Sequence, residues 1–583
     1  MNSLRKVRLI SQIGFIVFIL LTIFAINRHP VAYKIAADWY LRLNPLSGLL
    51  ASIASRTVVI DVLLVSFITL VLTILFGRVF CGFFCPLGAL IDFSDKYLFR
   101  KKPPGERRPG AALQKLKYLF LIAVMVLAFF KVFFPLFTDP LSFFTRAVTL
   151  LLYPILWIIG LDGMELLRPV IEFMGAEDLL LTSARVPLFY GTLGVTVLLA
   201  LVLIGCFWDR RFWCQYVCPT GALLGILSRF AIFRRRVSCR DCDFCKKGRT
   251  CAKVCPTRAI DDKDITVTSA AECVVCGVCT DIKDSCSAFG FGKAAYQETL
   301  GADIRRRQVV AGAAAGICCL PMFRGNALNK HEESGRLIRP PGSVPEEQFT
   351  GQCIGCGECA KVCPTNCIQL CSFEDGINKL YTPKIVPRIG GCEEKCYVCG
   401  HVCPTGAIRE LVYEEKRFVK IGTAVINKDK CLPWEQTKEC LVCDEVCPYN
   451  AITTKLMDTP YGPYKVPVVD EDLCLGCGLC EEHCPIFDEA AIVVFKFSEN
   501  RRASGPYLSE SKKKQVLEQR RKSDRSIGKV LKPGADSTGA GKLPEGFILD
   551  EEQGGSKLPE GFIMDNEKQD KGDQALPEGF IFD

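Results

Sequence analysis

Histidine is scarce: His29, His331, His401 and His483 are the only four in 583 residues. None stands immediately after a Cys-x-x-Cys pair, which excludes a c-type haem, and none lies in a long apolar run, which excludes a bis-histidine haem inside a membrane. Charge is thin as well, at 23% of residues, and the excess of 72 basic over 63 acidic side chains reads as loop asymmetry, so no nucleic-acid partner is expected. The sequence has no dinucleotide fingerprint, P-loop or nucleophile triad, so no catalytic residue is assigned. What it has is sulfur and apolar surface: 34 cysteines and 49% hydrophobic residues, with a mean hydropathy of +0.22. Its length suits about four domains.

Four apolar runs in the first third are long enough to cross a bilayer: residues 9–26, 58–76, 116–134 and 188–207. The first has no small-residue cleavage site after it, so it reads as a retained anchor rather than a signal peptide. Arg5, Lys6 and Arg8 precede it, and Arg100, Lys101, Lys102, Arg107 and Arg108 crowd the loop before the third run, whereas residues 138–186 carry only Arg146, Arg168 and Arg185. The positive-inside rule therefore places the N-terminus and the dense loop in the cytoplasm. Residues 147–160 are apolar but short and contain proline, which predicts an interfacial or re-entrant piece.

The expected fold is an α-helical membrane domain of four spans plus a possible fifth, with two α+β ferredoxin-like domains and a disordered C-terminal tail. The boundaries are 1–228 for the membrane domain, 229–300 for a cytoplasmic two-cluster domain, 301–325 for a linking segment, 326–497 for a four-cluster domain and 498–583 for the tail. The link opens on Arg305, Arg306 and Arg307 and continues into the mildly apolar residues 309–323, a pattern similar to a twin-arginine export signal set inside a chain. An amphiphilic linker is the alternative. The tail is rich in Lys, Ser, Gly, Asp and Glu, and the segment Leu-Pro-Glu-Gly-Phe-Ile begins there at Leu543, Leu558 and Leu576. Repeats on a flexible string suit multivalent docking to a partner, with neutral duplication as the alternative.

Most cysteines recur two or three residues apart and are closed by proline, the spacing of 4Fe-4S ligands. The runs are Cys353-Cys356-Cys359-Cys363, Cys392-Cys396-Cys399-Cys403, Cys431-Cys440-Cys443-Cys447 and Cys474-Cys477-Cys480-Cys484, each followed by proline. Upstream lie Cys242-Cys245-Cys251-Cys255, also followed by proline, and Cys273-Cys276-Cys279-Cys286; Cys239 could replace a member of the first of these. Six clusters are expected. Zinc ribbons use two separated Cys-x2-Cys knuckles instead. Cys81-x3-Cys85-Pro86 and Cys214-x3-Cys218-Pro219 form a duplicated pair at the ends of the second and fourth runs. These four thiols suit a seventh cluster, a redox-active thiol site or copper(I), or are simply buried at helix ends. Cys206, Cys318, Cys319, Cys367 and Cys371 fall outside every motif.

Residues 1–300, through both Cys-x3-Cys-Pro pairs and two cluster motifs, resemble the NapH-type membrane polyferredoxin of quinol dehydrogenases. Residues 303–495 resemble its partner, the exported NapG-type ferredoxin, through the arginine run, the segment Arg336-Leu-Ile-Arg-Pro-Pro-Gly342, four motifs in order and the gap from Cys431 to Cys440. The chain thus looks like a fusion of the two. The resemblance implies an inner-membrane protein, in contact with lipid, that passes electrons from quinol through 4Fe-4S clusters to a periplasmic redox protein or reductase. Related readings are an electron-donating or copper-handling assembly factor, or a membrane adaptor with every cluster cytoplasmic. The resemblance also implies nested ligation in the second domain: Cys353, Cys356 and Cys359 with Cys484; Cys474, Cys477 and Cys480 with Cys363; Cys392, Cys396 and Cys399 with Cys447; Cys431, Cys440 and Cys443 with Cys403. Arg28 and His29 are a candidate quinone contact, with a solvated loop as the alternative.

Overall fold

The computed structural model describes residues 3–25, 38–97, 111–134, 138–166, 187–237, 250–261, 267–280, 287–291, 306–324, 334–459 and 462–507. The three tail repeats, His29, Cys239, Cys242, Cys245 and Cys286 lie outside them.

Apolar side chains in unbroken runs make the first part helical: α1 (Ser3–Ala25), α2 (Pro45–Ser55), α3 (Ile60–Phe76), α4 (Pro86–Tyr97), α5 (Leu116–Phe129), α6 (Pro140–Ala147), α7 (Tyr153–Leu166), α8 (Thr192–Trp208) and α9 (Pro219–Leu227). Local chemistry sets the starts. Asn44 and Asp139 cap α2 and α6 by accepting from the N–H two residues on, with Pro45 and Pro140 in the first helical position. Two described helical stretches, Leu4–Phe24 and Pro140–Ile159, are long and apolar enough to cross a membrane, while Ile60–Phe76 and Thr192–Trp208 are apolar but shorter. The third run is helical over only 14 residues, Leu116–Phe129.

Residues 147–160, expected as an interfacial or re-entrant piece, are helical throughout. They belong to one continuous helical stretch, because the π turn Val148–Leu152 joins α6 to α7 and places Pro154 in the first turn of α7, where its missing N–H is tolerated.

The linking segment forms α11 (Arg306–Arg324), after a one-turn helix α10 (Thr250–Val254) in the preceding cysteine-rich unit. Helix α11 packs along α5 through Gly312 and Gly316. A Cβ at Gly312 would lie 2.9 Å from Ile122 Cβ, and one at Gly316 2.9 Å from the Ala123 carbonyl oxygen. This Gly-x3-Gly spacing is the small-residue seam that lets two helices approach in an apolar medium. Phe323, near the end of α11, meets Leu127, Val132 and Phe134 beyond the middle of α5, so the two helices run parallel.

The cysteine-rich parts form three units closed in one way: the strand before the first motif pairs antiparallel with chain after the second. In the first unit β1 (Phe233–Val237) pairs with β2 (Ser287–Phe291). In the second, Ser343 bridges Ile408, and the Arg409 N–H donates to the Gly342 carbonyl at 2.8 Å; the hairpin β3 (Ile368–Leu370) with β4 (Pro383–Ile385) stands between its motifs. In the third, β5 (Thr423–Ile426) pairs with β8 (Ile492–Phe495) around the hairpin β6 (Ile452–Thr459) with β7 (Gly462–Val469). Ala407, Ile408, Ala451 and Ile452, which follow Cys-Pro turns, are buried in the shared core.

The units occupy opposite ends of the helix bundle. At one end the first unit meets the start of α1, where Leu4 touches Gly277, and the start of α5, where Lys117 pairs with Glu272 at 2.5 Å. It also meets the end of α8, where Arg258 pairs with Asp209 at 2.6 Å. At the other end the second unit meets the last turn of α1, where Lys361 donates to the Ile23 carbonyl. There Gln352 reaches Thr57 at 2.9 Å after α2, and Asn366 reaches the Leu188 carbonyl at 3.0 Å before α8. Helix α1, of 23 residues, is about 34 Å long at 1.5 Å per residue.

Candidate metal centres

The Cys-x2-Cys loops wrap cavities, and the cysteine completing each comes from the other motif of the same unit. Cys474, Cys477 and Cys480 share a cavity of about 330 Å³ with Cys447. Cys431, Cys440 and Cys443 share one of about 380 Å³ with Cys484. In the second unit Cys403 is the electrostatic neighbour of Cys353, Cys356 and Cys359, and Cys363 that of Cys392, Cys396 and Cys399. In the first unit Cys273, Cys276 and Cys279 line a cavity of about 320 Å³ with Cys255, and Cys251 lies near Cys279. The nested ligation expected above is therefore corrected. Thiols are grouped between motifs that neighbour in sequence, first with second and third with fourth, because strand pairing closes each two-motif unit on itself.

Donor chemistry fits 4Fe-4S clusters. Burial pushes the thiols of Cys353, Cys443 and Cys477 up to about 12, so iron must compensate the buried thiolates and its binding displaces protons. Backbone N–H groups already point at ligand sulfurs, from Ala259 to Cys255 and Ala491 to Cys484 at 3.3 Å, and from Ile408 to Cys403, Ala424 to Cys474 and Ala451 to Cys447 at 3.4 Å. Such bonds stabilise thiolate charge and tune cluster potential. Among the described residues no group of three or more His, Cys, Asp or Glu converges on a single ion position; a mononuclear site needs four donors around one ion. His401 contacts Glu410, and His483 Nδ1 lies 2.9 Å from the Leu479 carbonyl.

Cys367 was outside every motif, yet its sulfur lies 3.4 Å from Cys363 Sγ. Hydrogen bonding with Cys367 holds Cys363 down to about 7 and Cys392 down to about 6, while Cys367 itself is raised. A sequence signal existed. The fourth residue after the Cys-Pro cysteine is Ala259, Ala407 and Ala451 in three of the other cluster motifs and Asp488 in the last, but cysteine here. Cys371 is buried with its sulfur 3.5 Å from Arg339 Nη1, Cys206 is buried in α8 and Cys318 and Cys319 are exposed on α11.

The duplicated pairs adopt duplicate structures. Cys81 and Cys214 lie in π turns, Phe80–Phe84 and Trp213–Val217, and Cys85 and Cys218 cap α4 and α9 by accepting from Gly88 N–H at 3.4 Å and Gly221 N–H at 3.3 Å. All four thiols are within electrostatic reach of one another. Arg78 and Arg211, fully buried, flank them. Each crosses to the opposite copy: Arg78 Nη2 lies against Gly221, and Arg211 Nη1 donates to the Cys81 carbonyl at 3.4 Å. The repeat is therefore Arg-x2-Cys-x3-Cys-Pro, and sequence reading missed its arginines. Gly82 touches the first unit, since a Cβ there would lie 2.3 Å from the Val274 carbonyl oxygen.

Three cysteine-lined units and their sulfur-directed N–H groups define an iron–sulfur protein. Models described as 4Fe-4S binding domain match residues 58–105, 190–239 and 395–421, and again 349–369, and one described as 4Fe-4S dicluster domain matches 436–487. The first two of these segments contain the two Arg-x2-Cys-x3-Cys-Pro copies. The chain binds 4Fe-4S clusters and belongs to the ferredoxin-type proteins that include MauM and NapG. It is 37% identical to the methylamine utilization ferredoxin-type protein MauM of Methylophilus methylotrophus over 27% of this chain and 69% of that protein. It is 33% identical to the ferredoxin-type protein NapG of Escherichia coli over 32% of this chain and 83% of NapG. The putative electron transport protein YccM of Escherichia coli is 29% identical over 42% of this chain and 58% of YccM. Electron transfer is the activity these relatives and clusters define.

Proposed function

We propose that the chain is a fused NapH-type and NapG-type electron carrier of the cytoplasmic membrane, taking electrons from a quinol, menaquinol in the first instance, and delivering them to a periplasmic redox protein or reductase. The observation that carries this reading is the position of cysteine-rich units at opposite ends of one helix bundle, joined by α11 running parallel to α5. In this reading α1, α3, α5, α8 and α11 cross the bilayer, the first unit is cytoplasmic, and residues 326–497 are exported. The ligands of the six clusters are the four exchanged sets of the second and third units, Cys255 with Cys273, Cys276 and Cys279, and Cys242, Cys245 and Cys251 with Cys286. Bound clusters supply one-electron oxidation and reduction; the protein holds them in line and keeps water from their thiolates.

A reporter fused after Asp583 tests the topology and should be active only in the periplasm. Anaerobic EPR of the purified chain should show clusters reduced by a menaquinol analogue. Cytoplasmic reporter activity, or clusters unmoved by quinol, would overturn the reading. Cys81, Cys85, Cys214 and Cys218 between two buried arginines favour a second reading in which they handle copper(I); copper in the purified protein without quinol-dependent cluster reduction would select it.

A further inference from the structure

Arg146 comes from the helix bundle, in α6, yet its chemistry belongs to the second cysteine-rich unit. It is 0% exposed. Its Nε donates to the Gly355 carbonyl at 2.6 Å, inside the Cys353-Ile354-Gly355-Cys356 loop, and its guanidinium carbon stands 4.2 Å from the centroid of the Tyr381 ring. Among the described residues neither Nη1 nor Nη2 has a hydrogen-bond partner. The other buried cations at this junction are paired, Lys361 with Glu358 at 2.8 Å and Arg339 with Glu346 at 2.6 Å. A guanidinium buried with both Nη groups unpaired is destabilising, so this geometry calls for a negatively charged acceptor beside the loop. Tyr381, Cys356, Cys353 and Asp139 are the ionisable groups that act on it, and a cluster held by four thiolates carries net negative charge that grows on reduction.

We propose that Arg146 is a positioning residue for the cluster of Cys353, Cys356, Cys359 and Cys403. Its two Nη groups donate to sulfur at that cluster, favour the reduced state and make this cluster the point where electrons leave the helix bundle for the second and third units. No proton or covalent bond changes hands; one electron arrives and the fixed positive charge offsets it. The inference rests on the reading that this unit binds clusters, and adds which of them receives electrons first.

The test uses the full chain in detergent under anaerobic conditions, with iron quantified and cluster potentials titrated by EPR. Arg146→Gln should keep its iron, lower the midpoint potential of one cluster while the others stay put, and slow cluster reduction by a menaquinol analogue at least tenfold. The shifted signal should be the one missing from Cys403→Ser, and Arg146→Lys should restore part of the shift. Unchanged potentials at full iron content would overturn the inference while leaving the cluster reading intact. Should Arg146→Gln fail to assemble, the neutral Arg146→Met takes its place, and an unaltered set of potentials in it overturns the proposal. Wild-type protein without clusters would instead remove the proposed function itself.

Discussion

Cys484 and Cys431 line the same cavity, although 53 positions separate them and Cys474 is much nearer to Cys484 in sequence. The cysteine before each proline thus serves its neighbour's cluster. Cys484→Ser should damage the cluster of Cys431, Cys440 and Cys443 and spare that of Cys353, whereas nested ligation requires the reverse. Iron content with EPR of the variant distinguishes the two. Cys403→Ser should, by the same exchange, damage the cluster of Cys353.

Cys367 offers a reserve ligand beside Cys363. Cys363→Ser alone should retain most of its iron, because the Cys367 sulfur is 3.4 Å from the lost one. The double variant with Cys367→Ser should lose one cluster. Equal iron loss in the single and double variants would contradict this.

Glu346 ties the chain before the first motif of the second unit to the chain after β8. It pairs with Arg339 and with Arg501, each at 2.6 Å. Against the cost of burial, the two guanidinium groups hold its carboxyl well below the usual carboxylate range. A depressed folded-state value means that the pairing stabilises the fold fully above about pH 4.5 and loses that contribution as pH falls further, by up to about 1.4 kcal/mol per unit. The thermal stability difference between wild type and Glu346→Gln should therefore be constant from pH 7 to about 5 and shrink towards pH 3.5. A difference that stays constant throughout would mean that the carboxylate is not held this way.

Gly316→Leu should part α11 from α5, since even a Cβ at that position would lie 2.9 Å from the Ala123 carbonyl. Overpacking of this kind costs about 1–3 kcal/mol. The measurement is thermal unfolding of the purified chain in detergent, with a substitution at exposed Val310 as the control. Equal midpoints for the two variants would show that the seam does not hold the helices together.

The cluster motifs were legible because ligation restricts spacing to a few residues, and the folding of Ala407, Ile408, Ala451 and Ile452 into the core followed from their place after a Cys-Pro turn. Ligand exchange was not legible. It depends on Ser343 meeting Ile408 and on β5 meeting β8, pairings between short strands that local spacing does not specify. The crossing of Arg78 and Arg211 was hidden for a similar reason: only the approach of the two copies turns them inward. The continuity of the helix through residues 147–160 was hidden because proline reads as a breaker, whereas the π turn before Pro154 absorbs it.

Ligand exchange within closed units also sets how this molecule fails. Loss of one cube to oxygen frees three thiols of its own loop and one that stands on the neighbouring motif, so the disturbance reaches the neighbour's loop although that cube keeps its own four sulfurs. It then stops, because no thiolate is shared between the unit of Cys353 and the unit of Cys431.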